Sequence, residues 1–273
     1  MSSMIRRPAP STVRWAMLVT LIFLWEFVPT TGLLPELFLP ALSSTLKVLA
    51  ADWRTYLGAL FVTLYEVGFA MMISCGGGIL IGALIGGVAV LRSLLLPIFS
   101  SLYAVPIVIL YPVFTAWFGV GSESKIAFSG IYAFFPVMLS TAAGIRTIEP
   151  HFILAARSMG ATTPQLVTRV VIPASLPTVF AGLRLGGALT IIGVVVSEML
   201  TSAAGIGYLV TLNRTILDSA RVFAAILMIL VLAVAYFMFA RALERRVVVW
   251  QAAGKQPRQS RESSPTVQAA ATA

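Results

Sequence analysis

Residues 149–186 read EPHFILAARSMGATTPQLVTRVVIPASLPTVFAGLRLG, a polar and small-residue insertion between long apolar runs. Pro150 fits the first position of a helix, where a missing N–H is harmless. Gly160 fits the left-handed residue that ends one. Thr163 followed by Pro164 reads as a second N-cap and first helical residue. The stretch therefore predicts a short helix, a glycine turn, and a second helix ending near Pro173. An elbow of this kind, projecting from its surroundings, is shaped to dock onto something.

What surrounds it is apolar. The 273-residue chain is 59% hydrophobic and only 11% charged, with a mean hydropathy of +0.95. A soluble domain carries about 25% charged residues, so most of this exterior must face lipid. A helix needs about 20 mainly apolar residues to cross the hydrocarbon core. Six segments qualify: Val13 to Leu34, Phe61 to Val88, Leu94 to Val120, Ile126 to Gly144, Ala181 to Leu200 and Val222 to Ala240. The first reads as an uncleaved anchor, because no small-x-small cleavage site follows it and Glu26 and Pro29 interrupt the run. Residues 35–56 predict a short helix around Ser43 to Trp53. The Gln-, Ser-, Ala- and Pro-rich tail has no apolar periodicity and predicts disorder.

Net charge +9 would suggest nucleic acid in a soluble protein, but its placement says otherwise. Arg6, Arg7, Arg14, Arg92, Arg146, Arg157, Arg169, Arg184, Arg241, Arg245, Arg246, Lys255, Arg258 and Arg261 fall on one side of the predicted membrane, leaving Lys47, Arg54, Lys125, Arg214 and Arg221 on the other. The positive-inside rule then puts both termini in the cytoplasm. The basic charge reports topology, and no nucleic-acid partner is expected.

Catalytic signatures do not occur. One histidine, His151, and one cysteine, Cys75, allow no HExxH, CxxC or Cys/His dyad, and the chain contains no GxSxG, GxGxxG or GxxxxGK[ST]. No catalytic residue, metal or cofactor is expected, and ATP-driven work would need a partner subunit. Gly76, Gly77, Gly78, Gly82, Gly86 and Gly87 cluster in the second span, and the 78/82/86 spacing predicts one small-residue face for close helix packing. A pore-lining or hinge role is the alternative. Pro106 and Pro112 should each remove a hydrogen bond from the third span and kink it, and broken helices line many transport pathways.

Three carboxylates fall within predicted spans, where each needs a partner or water. Glu26 and Glu66 lie nearer the extracytoplasmic half, within reach of the interface. Glu198 lies 14 residues after Arg184, roughly 21 Å along a helix, and Thr201 and Ser202 follow it. With Pro106 and Pro112, these three residues are the candidates for the translocation path; for Glu198 the alternative is an interhelical hydrogen bond.

Ala155, Ala156 and Gly160 make an AAxxxG pattern followed a dozen residues later by Ile172 and Pro173. This resembles the EAA loop of binding-protein-dependent ABC importer permeases. WFGVGSESK from Trp117, FFPVMLSTAAGIRTIEP from Phe134, GLRLG from Gly182 and SEMLTSAAGIGYL from Ser197 are similar to the nitrate, sulfonate and taurine branch. The likeness runs from about Leu60 to Arg245. It implies two permease subunits, taken as a homodimer, two cytoplasmic ATP-binding subunits, and a periplasmic binding protein that delivers a sulfonate, nitrate, taurine or related nutrient across a bacterial inner membrane. It also implies that Leu154, Ala155, Ala156, Arg157 and Gly160, with Ile172 and Pro173, form the coupling contact with the ATPase. Two positions depart from the pattern. Leu154 stands where the family has glutamate, and TLYE places Glu66 where many relatives carry arginine.

The expectation is an all-α polytopic membrane bundle of six transmembrane helices with a cytoplasmic coupling loop. Residues 1–12 form the cytoplasmic N-terminus, 13–246 the permease domain with its coupling loop at about 146–180, and 247–273 a cytoplasmic tail. An ion-coupled secondary transporter is the competing class, but it often shows paired broken helices in related halves, and no such pair is visible.

Overall fold

A computed structural model describes residues 10–247. The N-terminal Arg6 and Arg7 and the expected C-terminal tail lie outside these residues. Among the described residues the chain is helical, without strands.

Helix α1 (Pro10–Thr30) is the first span, and a loop leads from it to the short α2 (Leu42–Ala51). The second span is one continuous rod built from α3 (Trp53–Met71), a π turn at Met72–Gly77, and α4 (Gly78–Gly87). It starts at Trp53 rather than Phe61, because the polar turn of Arg54 and Thr55 continues the helix beyond its apolar part. Next come α5 (Ala89–Tyr103), a 3-10 turn at Ile107–Leu110, and α6 (Tyr111–Phe118). Helix α7 (Ser122–Arg146) is followed by α8 (Pro150–Ser158), α9 (Thr163–Leu166), a π turn at Val167–Val171, and α10 (Ile172–Leu200). The short α11 (Ile206–Thr215) and the long α12 (Ser219–Val247) complete the chain.

Five of these rods are long and apolar enough to cross a membrane, and a sixth span is formed if α5 and the Ile107–Phe118 segment are taken together. That third span is not a single helix, since its halves meet at 80°. Only Pro106 breaks it. Val105, held before a proline, is steered away from helical ψ, and Pro106 itself has ψ 91°. Pro112 produces no kink, contrary to expectation: it lies in the first turn of α6, where no hydrogen bond is lost.

The second helix of the elbow does not stop near Pro173 either. It runs on through α10, so the fifth span extends from Thr163 rather than Ala181. The π turn just before α10 explains this, because its wider i→i+5 geometry brings Pro173 in as a first-turn residue of the next stretch.

Helix α7 lies at the centre, packed on α4 and α10. The glycine face works as its spacing predicted. A Cβ on Gly78 would meet Val137 Cβ at 2.7 Å, one on Gly82 the Met138 carbonyl oxygen at 2.5 Å, and one on Gly86 Ala142 Cα at 3.0 Å. Nothing but hydrogen fits between α4 and α7. Glycines at 182 and 186 play the same part where α10 crosses α7. Helix α11, which the sequence reading did not anticipate, fills the gap between α3, α10 and α12; Ile206, Leu209 and Val210 pack there with Tyr56, Ala224 and Ala225.

Candidate functional site

Two groups of side chains stand out, at opposite ends of the bundle. The first is the elbow. Helix α8 closes with a Schellman motif: the Gly160 N–H donates to the Arg157 carbonyl at 2.9 Å and the Ala161 N–H to the Ala156 carbonyl at 3.0 Å. This needs a left-handed residue, and Gly160 has φ +78°. A Cβ there would meet nothing within 4 Å, so glycine is required by the backbone angle, not by crowding. The second helix is capped by Thr162 rather than Thr163, because Thr162 takes the extended conformation and Gln165, three residues on, accepts its N–H through Oε1 at 2.9 Å.

Of the expected coupling residues, Leu154, Ala155, Arg157 and Gly160 are exposed on one projecting turn, and Ile172 and Pro173 sit at the base where α10 begins. Ala156 is 5% exposed and faces inward; its role is to let α8 lie close to its own support. Leu154 is 67% exposed and Met159 82%, and with Phe152 they leave large apolar side chains exposed beside Arg157 and Ser158. A cavity of about 410 Å³ lies behind the tip, lined by Phe152, Arg169, Pro173 and their neighbours.

The second group lies at the far end, where α3, α7, α10 and α11 meet. Glu66 is buried and does not reach an interface: Lys125 Nζ lies 2.5 Å from its Oε1, and the Ser122 hydroxyl donates to the same oxygen at 2.8 Å. Lys125 also donates to Ser202 Oγ at 3.0 Å. Glu198 is buried too, accepting the Thr63 hydroxyl at 2.7 Å and the Gly207 N–H at 2.7 Å. The Ile206 N–H donates to Thr63 Oγ1 at 3.0 Å. Glu198 and Thr63 thus cap the first turn of α11, whose own N-cap residue, Gly205, has no side chain to do so. Glu66 is paired with an ammonium through Oε1, its Oε2 being without a hydrogen-bond partner among the described residues, and Glu198 accepts donors at a helix N-terminus.

Thr201 joins through its carbonyl, which accepts from the Tyr111 hydroxyl at 3.4 Å. Tyr111 begins α6, so the bent third span and the end of α10 are brought together here. Pro106 starts that half-span, beside the buried Ile107. Glu198, Thr201 and Ser202 therefore share one region, which the bent third span joins through Tyr111, while Pro106 and Pro112 are exposed on that half-span. Lys125, Thr63, Ser122 and Tyr111 were not singled out from sequence. Lys125 read as a topological charge at the edge of a span, and only the fold sets it against Glu66.

A helical membrane bundle with an exposed elbow at one end and a buried polar cluster at the other defines the class: a polytopic helical membrane protein. Among solved structures it is similar in fold to the MetNI methionine ABC transporter in an inward-facing conformation, with a TM-score of 0.58 and 19% identity over 71% of this chain and 94% of that one. The family model described as "Binding-protein-dependent transport system inner membrane component" matches residues 78–249, and the chain belongs to that family. It is 30% identical to an aliphatic sulfonates transport permease of Bacillus subtilis, covering 85% of this chain and 84% of the relative. It is also 30% identical to the taurine transport system permease of Escherichia coli, covering 85% and 87%.

Proposed function

We propose that the chain is the permease subunit of an ATP-driven importer for a small sulfonate, taurine-like or related nutrient. Two identical copies form the pathway, a binding protein delivers the solute outside, and cytoplasmic ATP-binding subunits seat the elbow. Both termini are cytoplasmic, residues 13–246 make the permease domain, and this subunit breaks no covalent bond. The observation that carries the reading is the α8 tip: an exposed, Schellman-closed turn with Leu154, Ala155, Arg157 and Met159 outward is a compact helix end offered to a cleft. Leu154 makes that contact apolar where a carboxylate would make it polar. Arg157 offers a charge-assisted hydrogen bond.

At the other end, we assign the outer gate to the contacts of Ser202 with Lys125 and of Thr201 with Tyr111. Nucleotide drives the cycle only if the ATP-bound partner prefers the outward-open arrangement, since a ligand with equal affinity for both states shifts nothing.

The test is co-purification of the tagged chain with its ATP-binding subunit, alongside Gly160→Val. A β-branched residue at positive φ is penalised, so the Schellman turn should open and the ATPase yield should fall at least several-fold while the permease remains in the membrane. An ATPase retained at wild-type level in the variant would remove the elbow from the interface.

A further inference from the structure

Helices α10 and α12 flank a half-open apolar slot of about 270 Å³, walled by residues that include Ala188, Ile192 and Val195 on one side and Ala233, Tyr236 and Phe237 on the other. Its shape is fixed by a lock at one end: the Tyr236 hydroxyl donates to the Leu183 carbonyl at 2.8 Å, in the space that only Gly187 leaves open, since a Cβ there would overlap it. Beyond this lock Ala188 and Ala233 are too small to fill the space between the helices. No polar partner for water lines the cavity except the already bonded tyrosine, so it would stay dry, and its walls lack dispersion partners unless something apolar enters.

The chemistry changes one turn further along α12. Arg184 stacks over the Phe237 ring at 5.8 Å and pairs with Glu244 at 2.8 Å. Glu244 is thereby engaged. Arg241 follows Phe237 by one helical turn, about 6 Å along the axis, with Arg245 a further turn on; both are exposed, and neither makes an ion pair among the described residues. An apolar slot within the hydrocarbon depth thus leads to surplus positive charge at the helix end, where a membrane has its headgroups.

We infer that this slot is a binding site for an anionic phospholipid, one acyl chain lying between α10 and α12 and its phosphate held by Arg241 and Arg245. Charge complementarity selects the headgroup, because clustered arginines beside a span attract anionic lipid. The slot then holds the chain in place, which separates this site from the passing contact of bulk lipid with the outer face of α12.

The test uses the full-length chain in nanodiscs of equal phosphatidylglycerol and phosphatidylcholine, with a photoactivatable diazirine in the acyl chain of one lipid at a time. Labelled phosphatidylglycerol should crosslink, mapped to single residues, mainly to Ile192 and Val195 on the α10 peptide and to Ile229, Ala233 and Phe237 on the α12 peptide. Arg241→Gln with Arg245→Gln should erase the preference over phosphatidylcholine without disturbing the fold. Ala233→Phe should reduce crosslinking at those peptides several-fold for both lipids. Labelling spread evenly over Leu230, Val231, Val234 and Met238 with no headgroup preference would overturn the inference in favour of bulk lipid. Crosslinking absent from the slot, with Ala233→Phe turning dimers into monomers, would assign the slot to a second copy of the chain.

Discussion

Ala41 and Gly205 precede the two short helices at the far end, and neither side chain accepts a hydrogen bond from the first turn. Glutamates from the spans supply what is missing. Glu26 accepts the Ser43 N–H at 3.0 Å and its hydroxyl at 2.7 Å at the start of α2, as Glu198 does for Gly207 and Thr63 at the start of α11. A side-chain cap stabilises a helix by about 0.5–2 kcal/mol, and here each also ties a short helix to a membrane rod. Glu66 differs, because its partner is an ammonium. Lys125→Met would strand a buried carboxylate and should destabilise the protein by about 3–5 kcal/mol, read as a lower unfolding midpoint in detergent. Pairing that change with Glu66→Leu removes both charges and should recover most of the loss. A double variant no more stable than the single one would mean that Lys125 acts mainly through Ser202.

At the scale of elements, close approach decides the packing. Gly82→Val would push a methyl-bearing carbon into the Met138 carbonyl, which backbone cannot relieve by a rotamer change. Overpacking of this kind costs about 1–3 kcal/mol, and it should separate α4 from α7. Gly68→Ala is the control, since a Cβ there meets nothing within 4 Å and alanine is favoured over glycine in a helix by up to about 1 kcal/mol. Thermal unfolding of the two variants should move in opposite directions. The 78/82/86 face was legible in the sequence because small-residue spacing is local. The break at Pro106 was half legible: two prolines were visible, but which one interrupts a helix and which one begins it depends on where the chain turns.

For the whole molecule, the spans and the elbow followed from hydropathy, charge placement and capping residues within a few positions of each other. The far-end cluster did not. Glu66 and Lys125 belong to different rods, and Thr63 reaches Glu198 across 135 positions of sequence, so no periodicity links them. Continuity through Pro173 was hidden for another reason: helix propensity carries no signature of the π turn that accommodates it. The overall orientation is tested by labelling. In a Cys75→Ala background, expressed without partner subunits, Ala203→Cys should react with an impermeant maleimide on intact cells, and Ser158→Cys only after permeabilisation. The reverse pattern would invert the molecule in the membrane.

The π turn at Val167–Val171 separates the elbow from α10. Such a turn holds one residue more than an α turn, and one residue corresponds to about 100° of rotation about a helix axis. The direction in which Leu154 and Met159 point is therefore a phase set by a single residue. Deleting Thr168 should restore an ordinary helix, leaving helical content by circular dichroism unchanged. The tip would then swing to another azimuth, and ATP hydrolysis should lose its link to uptake although every contacting side chain is still present.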